Sequence, residues 1–261
     1  MKILLVIFFT FITTSSFAVN FEGKFIQGSF ILGKTEPGSK VFIDKKEVKV
    51  TEEGYFAFGL GRDRKNDVVI KINEKKIVKK IFKRDYKIQR IDGLEEKKVT
   101  PPEEVYERIK RENKWIGEAR SINSDLTFFK NKFINPLDDA IVTGVYGSQR
   151  ILNGKPKWPH YGIDFAADEG TEIKAMLDGV VTLAEPDLFY TGGTLIFDHG
   201  HGVSTLYMHM KKILVTKGQK VKQGDIIGTV GSTGRSTGAH LDIRLNWFQT
   251  RLDPATVLDL K

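Results

Sequence analysis

The stretch GTLIFDHGHGVSTLYMHM spans residues 193–210 and carries the clearest fold signal in the chain. Two runs rich in β-branched and aromatic residues, 194–198 and 203–207, flank a segment of alternating histidine and glycine. Glycines between two short apolar runs are typical of a tight turn between strands. The stretch therefore predicts two strands joined by a turn, and we interpret His199 and His201 as turn residues.

Further runs of the same kind lie on both sides of this pair and are separated by glycine-rich turns. They cover residues 142–147, 179–183, 225–228 and 241–244. Little of this half of the chain shows a helical period. We therefore predict that residues 132–261 form an antiparallel β-sheet domain with long loops, and that the whole chain is mainly β.

Residues 19–86 show a similar pattern on a smaller scale. Short apolar or alternating runs, at 30–32, 41–43, 55–58 and 68–70, are divided by turn residues. Several short strands at this spacing predict a small β-sandwich. The segment resembles bacterial immunoglobulin-like or carboxypeptidase-regulatory-like modules. It contains no catalytic constellation, so we interpret it as a spacer or adaptor whose partner the sequence does not specify.

A charged segment, residues 87–131, connects the two β regions. Within it, Thr100 is a good N-cap residue, Pro101 suits a first helical turn, and Glu103 completes a capping box. The apolar residues that follow fall on one helical face: Val105, Ile109 and Ile116. We therefore predict a linker with one helix that starts at Thr100 and lies against one of the domains.

The first 18 residues have the organisation of a secretory signal peptide. Lys2 precedes an apolar run at residues 3–12, and small residues occupy Ser16 and Ala18, the positions that a signal peptidase reads. A membrane anchor is the alternative, but the run is shorter than the ~20 residues that a spanning helix needs. We therefore predict cleavage after Ala18, export to the periplasm and no stable membrane insertion.

Composition narrows the classes of protein further. The chain has 261 residues and no cysteine, so an exported fold must be held by its core or by a metal rather than by disulfides. Its formal net charge of +8 fits either attraction to an anionic polymer or a solvated lysine-rich surface. The second interpretation fits better, because the lysines are spread rather than clustered with aromatic residues. We predict no nucleic-acid partner.

The histidines are confined to the second half of the chain. All five follow residue 159: His160, His199, His201, His209 and His240. Histidine is the commonest metal ligand and general base in proteins. A group of histidines within one β domain therefore indicates a metal or catalytic site, although composition alone does not say which of them act.

Carboxylates accompany two of these histidines at short spacing. Asp164 follows His160 by four residues, and Asp242 follows His240 by two. Residues two apart in a strand point to the same face, so His240 and Asp242 reach one site and Arg244 continues that face. Nitrogen and oxygen ligands of this kind suit zinc. The alternative is that each histidine separately caps a turn or fills a core.

Several segments together resemble the lysostaphin/LytM-type zinc endopeptidases. They occur in the family's order over about 110 residues. The segments are 160–167, 170–173, 178–181, 198–200, 206–209 and 231–241. Residues 215–225 also resemble lipoyl and biotinyl carrier domains, but no lysine there lies in the modification motif of those domains.

The resemblance implies a role for each matching residue. It implies that His160 and Asp164 are zinc ligands and that His209 and His240 are a catalytic pair acting on an activated water. Asp242 occupies the position of the family's third ligand, which is normally the second histidine of a His-x-His motif. Because aspartate also binds zinc, the resemblance implies a zinc site of His160, Asp164 and Asp242.

The implied substrate is the peptide part of peptidoglycan, cut in its cross-links or stem peptides. One alternative is a catalytically inactive LytM-like domain that binds and activates another cell-wall hydrolase. Such relatives usually lose several site residues, whereas this chain departs at one position. A second alternative is a wall-anchoring protein in which the N-terminal β module is the active part, but nothing in residues 19–86 specifies a ligand.

Overall fold

The structure is a computed structural model that describes residues 18–138 and 141–260. The predicted signal peptide lies almost wholly outside the described residues, so its cleavage stays a prediction. Within the described part, no helix combines the length and apolar character needed to cross a membrane.

The N-terminal strands form two antiparallel sheets, with orders β1-β2-β5 and β4-β3-β6-β7. Phe56, Phe58 and Ile70, on strands of both sheets, are completely buried in one shared core. The strands are β1 Asn20–Glu22, β2 Phe30–Lys34, β3 Val41–Ile43, β4 Lys46–Val48, β5 Tyr55–Gly59, β6 Val68–Ile72 and β7 Lys75–Lys79. The predicted runs of this region are therefore strands.

The connecting segment contains a strand as well as helices. Its elements are strand β8 Ile88–Ile91, helix α1 Glu96–Val99, a 3₁₀ turn at Glu103–Val105 and helix α2 Tyr106–Arg120. Ile116 of α2 and its neighbour Trp115 pack on an apolar patch of the C-terminal region. The predicted helix exists and lies against a domain, as expected.

The predicted start of that helix at Thr100 is wrong. Thr100 ends α1, where its N–H donates to Glu96 O, and its hydroxyl accepts a 2.8 Å bond from Lys155 Nζ. α2 begins at Tyr106 without a side-chain cap. The reason lies in the second proline, because Pro102 disfavours the helical conformation at Pro101 and delays the helix beyond both.

The C-terminal region is built on an eight-stranded sheet. Its strands follow the order β18-β14-β15-β16-β20-β12-β9, and β21 also pairs with β20. Two small sheets, β13-β19-β17 and β11-β10-β8, flank it. The strands are β9 Ile141–Gly144, β10 Gln149–Leu152, β11 Lys155–Pro156, β12 Ile163–Ala166, β13 Glu172–Lys174, β14 Gly179–Leu188, β15 Gly192–Gly200, β16 Val203–Met210, β17 Lys212–Ile213, β18 Lys220–Val221, β19 Ile226–Thr229, β20 His240–Trp247 and β21 Thr250–Leu252.

The pairings within the large sheet are all antiparallel, which confirms the predicted fold class. β15 and β16 form the hairpin predicted from residues 193–210. The strands β16, β20, β12 and β9 are consecutive neighbours at one end of the strand order. Side chains that are far apart in the sequence are therefore brought together on these four strands. Short 3₁₀ turns at Phe128–Lys130 and Pro254–Thr256 lie before and after the sheet.

The two β regions share one apolar core rather than two separate ones. Leu252 of β21 is fully buried, and a Cβ built on Gly59 of β5 would lie 2.6 Å from its Cδ2 atom. The glycine therefore allows the N-terminal sheet to approach closely. Arg84 adds an ion pair to Asp253 at 2.7 Å across the same contact.

Replacing Leu252 with alanine tests this shared core. We expect Leu252→Ala to lower the free energy of unfolding by about 2–5 kcal/mol, because a buried leucine is removed from a tight contact. The control is Leu214, which is 57% exposed. Leu214→Ala should change the free energy of unfolding by less than ~0.5 kcal/mol. Urea denaturation of both variants is the measurement. If Leu252→Ala is as stable as Leu214→Ala, the two β regions do not share a core at this position.

Candidate metal centre and cleft

Two aspartates occupy directly opposed positions on neighbouring strands. In the antiparallel pair of β12 and β20, Asp164 faces Asp242 in register. Both are buried, with exposed fractions of 8% and 1%. Like charges opposed across a strand pair destabilise it, and burial makes each uncompensated charge more costly. The pairing therefore requires positive charge between and around the carboxylates.

His160 supplies the third side chain of this cluster. Its Nε2 atom lies 3.1 Å from Asp164 Oδ1 and 3.3 Å from Asp242 Oδ2. Its Nδ1 atom lies 3.3 Å from the carbonyl oxygen of Val145, to which an Nδ1–H donates. That contact directs Nε2 toward the two carboxylates, the tautomer that a metal-binding histidine needs.

Two arginines form ion pairs with the carboxylates. Arg150 Nη2 donates to Asp164 Oδ2 at 2.6 Å, and Arg244 Nη2 donates to Asp242 Oδ2 at 3.0 Å. Arg244 Nε lies 3.3 Å from the other oxygen of Asp242. Arg244 therefore continues the strand face as the sequence predicts, and Arg150 completes a row of alternating charges.

The charges of the cluster shift one another's proton affinities. Burial alone would raise the pKa of Asp242, but Arg244 and His160 hold it well below its usual range. Burial likewise opposes ionisation of Asp164, whose pKa is nevertheless lowered by His160 and Arg150. Burial would lower the pKa of His160, yet the two carboxylates raise it. The cluster thus favours ionised carboxylates and a cation between them.

Glycines provide the space that the carboxylates occupy. A Cβ on Gly144 of β9 would lie 2.7 Å from Asp164 Cγ, and one on Gly162 would lie 2.5 Å from Ile243 O and would also contact Asp242. Neither glycine has a positive φ. The absence of a side chain, rather than unusual backbone freedom, is what these positions require.

The three side chains suit a divalent cation. One ligand atom from each of His160, Asp164 and Asp242 lies within 4.8 Å of the others. Asp164 Oδ1 is fully buried and makes no hydrogen bond of good geometry, so it has an acceptor position to offer. A nitrogen and two carboxylate oxygens are a donor set found in zinc sites. The sequence-predicted ligands therefore come together in a cluster with the chemistry of a metal site.

His209 and His240 lie side by side, with ring centroids 4.6 Å apart. His240 is partly exposed and lines a cleft, whereas His209 is buried beneath it with 6% exposure. Burial, aided by neighbouring His240, lowers the pKa of His209 to about 4, so this ring is neutral at neutral pH. The φ of 63° at His209 is uncommon for a non-glycine residue, and such conformations concentrate at functional sites.

The other two histidines lie outside the cluster. His201 is a turn residue with φ 51°, as predicted, and its ring packs 4.7 Å from that of Phe129. The prediction that His199 lies in the turn is wrong, because β15 continues through it. Its Nδ1–H donates to Asp178 O at 2.7 Å, and Nε2 accepts from Thr205 Oγ1 at 2.8 Å. These contacts make His199 a strand residue with a fully satisfied ring.

A cleft of about 320 Å³ opens beside the cluster. One wall comes from β8 and β10, which pair in parallel with Gln89 opposite Arg150 and Ile91 opposite Leu152. The other sides are formed by the ends of β9 and β12 and by the loop that precedes β20. The lining residues are Gln89, Ile91, Leu94, Thr143, Arg150, Leu152, Asp164, Ala166 and residues 235–240.

Sequence reasoning missed the wall contributed by β8 and the ion pair made by Arg150. β8 is short and lies in a charged stretch, and its parallel partner is about 60 residues away, so no local sequence pattern indicates this strand. Arg150 lies on β10, in a stretch of sequence without any motif. A signal did exist for Gly144, which lies within a predicted strand. An isolated glycine in a strand often marks the close approach of another group, which here is Asp164.

The sheet, the buried His-Asp-Asp cluster and the histidine-lined cleft define a β-sheet metallopeptidase domain. Residues 158–254 match the profile of Peptidase family M23, so the chain carries a domain of this family. This agrees with the resemblance to lysostaphin/LytM-type enzymes noted from the sequence.

The chain is similar to several bacterial proteins. The chain is 46% identical over 87 residues to the peptidoglycan DD-endopeptidase ShyA of Vibrio cholerae. The aligned residues cover 33% of the chain and 20% of ShyA. The chain is also 47% identical over 149 residues to an uncharacterized metalloprotease of Buchnera aphidicola subsp. Baizongia pistaciae, covering 57% of the chain and 38% of that protein. The chain thus matches well under half the length of these relatives.

One solved structure is similar over nearly the whole fold. The crystal structure of a Pseudomonas aeruginosa protein assigned to peptidase M23 matches with a TM-score of 0.69 and 27% identity. The match covers 90% of this chain and 95% of that one. The similarity therefore extends well beyond the M23 domain itself.

Gly144→Ala tests whether the glycine positions Asp164 for metal binding. The added methyl group would displace the Asp164 carboxylate, and we expect zinc affinity to fall by roughly 10–100-fold, the size typical of losing the support of a ligand. Gly117→Ala is the control, because a Cβ there meets no atom within 4 Å. Zinc titration against a competing chelator measures both, and unchanged affinity in Gly144→Ala would contradict the assignment.

His199 should make stability depend on pH. Burial lowers its pKa to about 4, whereas an unfolded histidine has a pKa of about 6.5. Below pH 6.5 the unfolded chain binds a proton that the folded chain does not, so folding stability is lost as the pH falls toward 4. Between pH 7 and pH 5 this contributes a loss of about 2 kcal/mol.

His199→Gln removes that titration while keeping one donor and one acceptor. The difference in unfolding free energy between native protein and variant should therefore narrow by about 2 kcal/mol from pH 7 to pH 5. Urea denaturation at both pH values is the measurement. Parallel pH profiles for the two proteins would show that His199 is not held neutral by the fold.

Proposed function

We propose that the chain is a zinc-dependent endopeptidase that hydrolyses peptide bonds in peptidoglycan cross-links or stem peptides. The observation that carries the proposal is the buried cluster of His160, Asp164 and Asp242 beside a cleft lined by His240. The name of the Vibrio cholerae relative, a peptidoglycan DD-endopeptidase, supports this substrate class. Zinc is supported by the nitrogen and oxygen donor set.

His160, Asp164 and Asp242 would hold the metal. A bound zinc ion supplies Lewis acidity, which polarises a carbonyl group and makes a coordinated water acidic near neutral pH. The Nδ1 atom of His160 donates to Val145 O, which fixes the ring and leaves Nε2 free to bind. Arg150 and Arg244 hold the two carboxylates in place through ion pairs.

His209 and His240 would handle the protons of the reaction. His209 Nδ1 lies 2.8 Å from Thr233 O, and His240 Nδ1 lies 2.9 Å from Gly238 O. An Nδ1–H that donates to each carbonyl leaves both Nε2 atoms free to accept a proton. The histidine pair takes a proton from the attacking water and returns one to the departing amine, a role that is typically worth ~10²–10⁴-fold in rate.

This function requires the domain to reach the cell wall. The predicted signal peptide would deliver it to the periplasm, where peptidoglycan is the partner. The N-terminal sheets, residues 19–86, would then serve the M23 domain as a spacer or adaptor, as the sequence suggests.

A second candidate function follows from Arg244. This arginine donates to both oxygens of Asp242, the position where lysostaphin/LytM-type enzymes carry a histidine. If the ion pair keeps Asp242 from binding metal, the domain is a catalytically inactive binder that activates another wall hydrolase. Asp242 Oδ2 nevertheless points at His160 Nε2, which supports the enzyme.

Purified protein incubated with peptidoglycan, followed by mass spectrometry of the muropeptides, tests the function. We expect about one zinc per chain, release of peptide-cleaved products, and loss of most hydrolysis in His209→Ala with zinc retained. His201→Asn is the control, because it alters a histidine outside the cluster and asparagine tolerates the left-handed backbone there. Its turnover should be near normal.

Asp242→Ala distinguishes the two candidate functions. As a ligand, Asp242 should contribute more than the roughly 10–100-fold in zinc affinity that supporting groups contribute. Zinc binding as tight as that of the parent, together with no muropeptide product from either protein, would favour the inactive activator. Full activity in His209→Ala would show that its proposed proton-transfer role is wrong.

A further inference from the structure

Two arginines line the cleft, Arg150 and Arg235, and one of them has a carboxylate partner. Arg150 pairs with Asp164, which also lines the cleft. Arg235 also lines the cleft, but among residues 18–138 and 141–260 no carboxylate oxygen lies within 4.0 Å of its guanidinium. The described lining of the cleft thus has two guanidinium groups and one carboxylate, before any divalent cation is counted.

The side chain of Arg235 is held in place rather than free in solvent. Its guanidinium carbon lies 4.5 Å from the centre of the Tyr190 ring. Its backbone N–H donates to Tyr190 O at 2.9 Å, and Nη1 lies 3.4 Å from Lys98 O. Tyr190 lies in the loop between β14 and β15, and Lys98 lies on α1. Two separate parts of the fold therefore orient the arginine.

The position of Arg235 places it next to the proposed chemistry. It precedes His240 by five residues, in the loop whose Thr233 carbonyl accepts the hydrogen bond from His209. Arg235 and Asp242 also influence each other electrostatically. A group bound by Arg235 therefore lies in the same cleft of about 320 Å³ that His240 and Asp164 line.

Partial burial of a cation without a counter-ion is unfavourable, and a bound anion relieves it. Guanidinium groups bind carboxylates through two parallel hydrogen bonds, and stacking on an aromatic ring leaves the donor edges available. The ammonium group of Lys98, whose carbonyl contacts Arg235, donates instead to Phe189 O at 2.8 Å.

We propose that Arg235 binds a carboxylate of the substrate, so that the cleft selects peptides with a free carboxylate beside the cleaved bond. This subsite rests on the proposed function for its substrate class, which is a cell-wall peptide. Arg235 is a specificity residue that contacts substrate and takes no part in bond breaking. Amidation of that carboxylate would weaken binding.

Equilibrium binding in the zinc-loaded His209→Ala protein tests the subsite without turnover. The probes are two cross-linked muropeptide dimers that differ only in whether the carboxylates beside the cross-link are free or amidated. A charge-assisted pair of hydrogen bonds predicts roughly 10–100-fold tighter binding of the free acid. Adding Arg235→Gln should abolish this preference, and adding Arg235→Lys should retain part of it.

Arg90→Gln, added to the same protein, is the matched control. Arg90 is an exposed residue on β8, next to the wall of the cleft, and its neutralisation should leave the preference intact. A loss of loop structure in Arg235→Gln would weaken both dimers equally, whereas loss of the subsite weakens only the acid. Equal affinities of the two dimers with Arg235 present would overturn the proposal.

Hydrolysis assays distinguish a failure of this subsite from a failure of the proposed function. They compare the native protein with the single variant Arg235→Gln, both with His209 intact. With the function correct, Arg235→Gln should raise KM for the free acid by roughly 10–100-fold and leave kcat within a few-fold. If the native protein cleaves neither dimer but the acid still binds more tightly, the endopeptidase proposal fails and the subsite stands. If cleavage occurs with no preference for the acid, the subsite fails and the endopeptidase stands.

Discussion

Two carboxylates opposed in one strand pair are the constraint around which the M23 domain is arranged. Antiparallel pairing of β12 with β20 sets Asp164 against Asp242, and both are buried. Neither charge has enough water to stabilise it, so the fold must supply cations. His160 contacts both aspartates, and Arg150 and Arg244 each form an ion pair with one of them. A strand pair that would repel itself in isolation becomes a site that favours a metal ion.

The same constraint explains features at some distance from the ligands. Gly144 and Gly162 leave room for the carboxylates, so the strands can bring the ligand atoms close together. Burial keeps His209 neutral beside this charged group, with its pKa lowered to about 4. A neutral imidazole has a ring nitrogen free to accept a proton, as the proposed role of His209 requires. The charge balance of the cluster and this proposed role therefore depend on one arrangement.

The connecting segment is part of the site rather than a simple spacer. β8 pairs with β10 and supplies Gln89 and Ile91 to one wall of the cleft. Helix α1 contributes the Lys98 carbonyl that contacts Arg235. The residues that match the M23 profile, 158–254, therefore hold the proposed ligands but do not enclose the whole cleft. The proposed ligands and the two cleft histidines lie in the family domain, and part of the proposed substrate surface comes from outside it.

The sequence alone determined the mainly β fold and the segments that hold the proposed ligands. Strand runs divided by glycines are local signals, and the i, i+2 spacing of His240 and Asp242 follows from the geometry of one strand. The helix start at Thr100 and the turn assignment of His199 were wrong, because a second proline and a continuing strand overrode the local pattern. Tertiary structure decided the opposition of Asp164 and Asp242, the ion pair of Arg150 with Asp164, and the β8 wall. The opposed aspartates and the β8 wall are pairings between segments about 60 to 80 residues apart. They depend on which strands become neighbours, and burial of the whole core rather than any short stretch of sequence determines that.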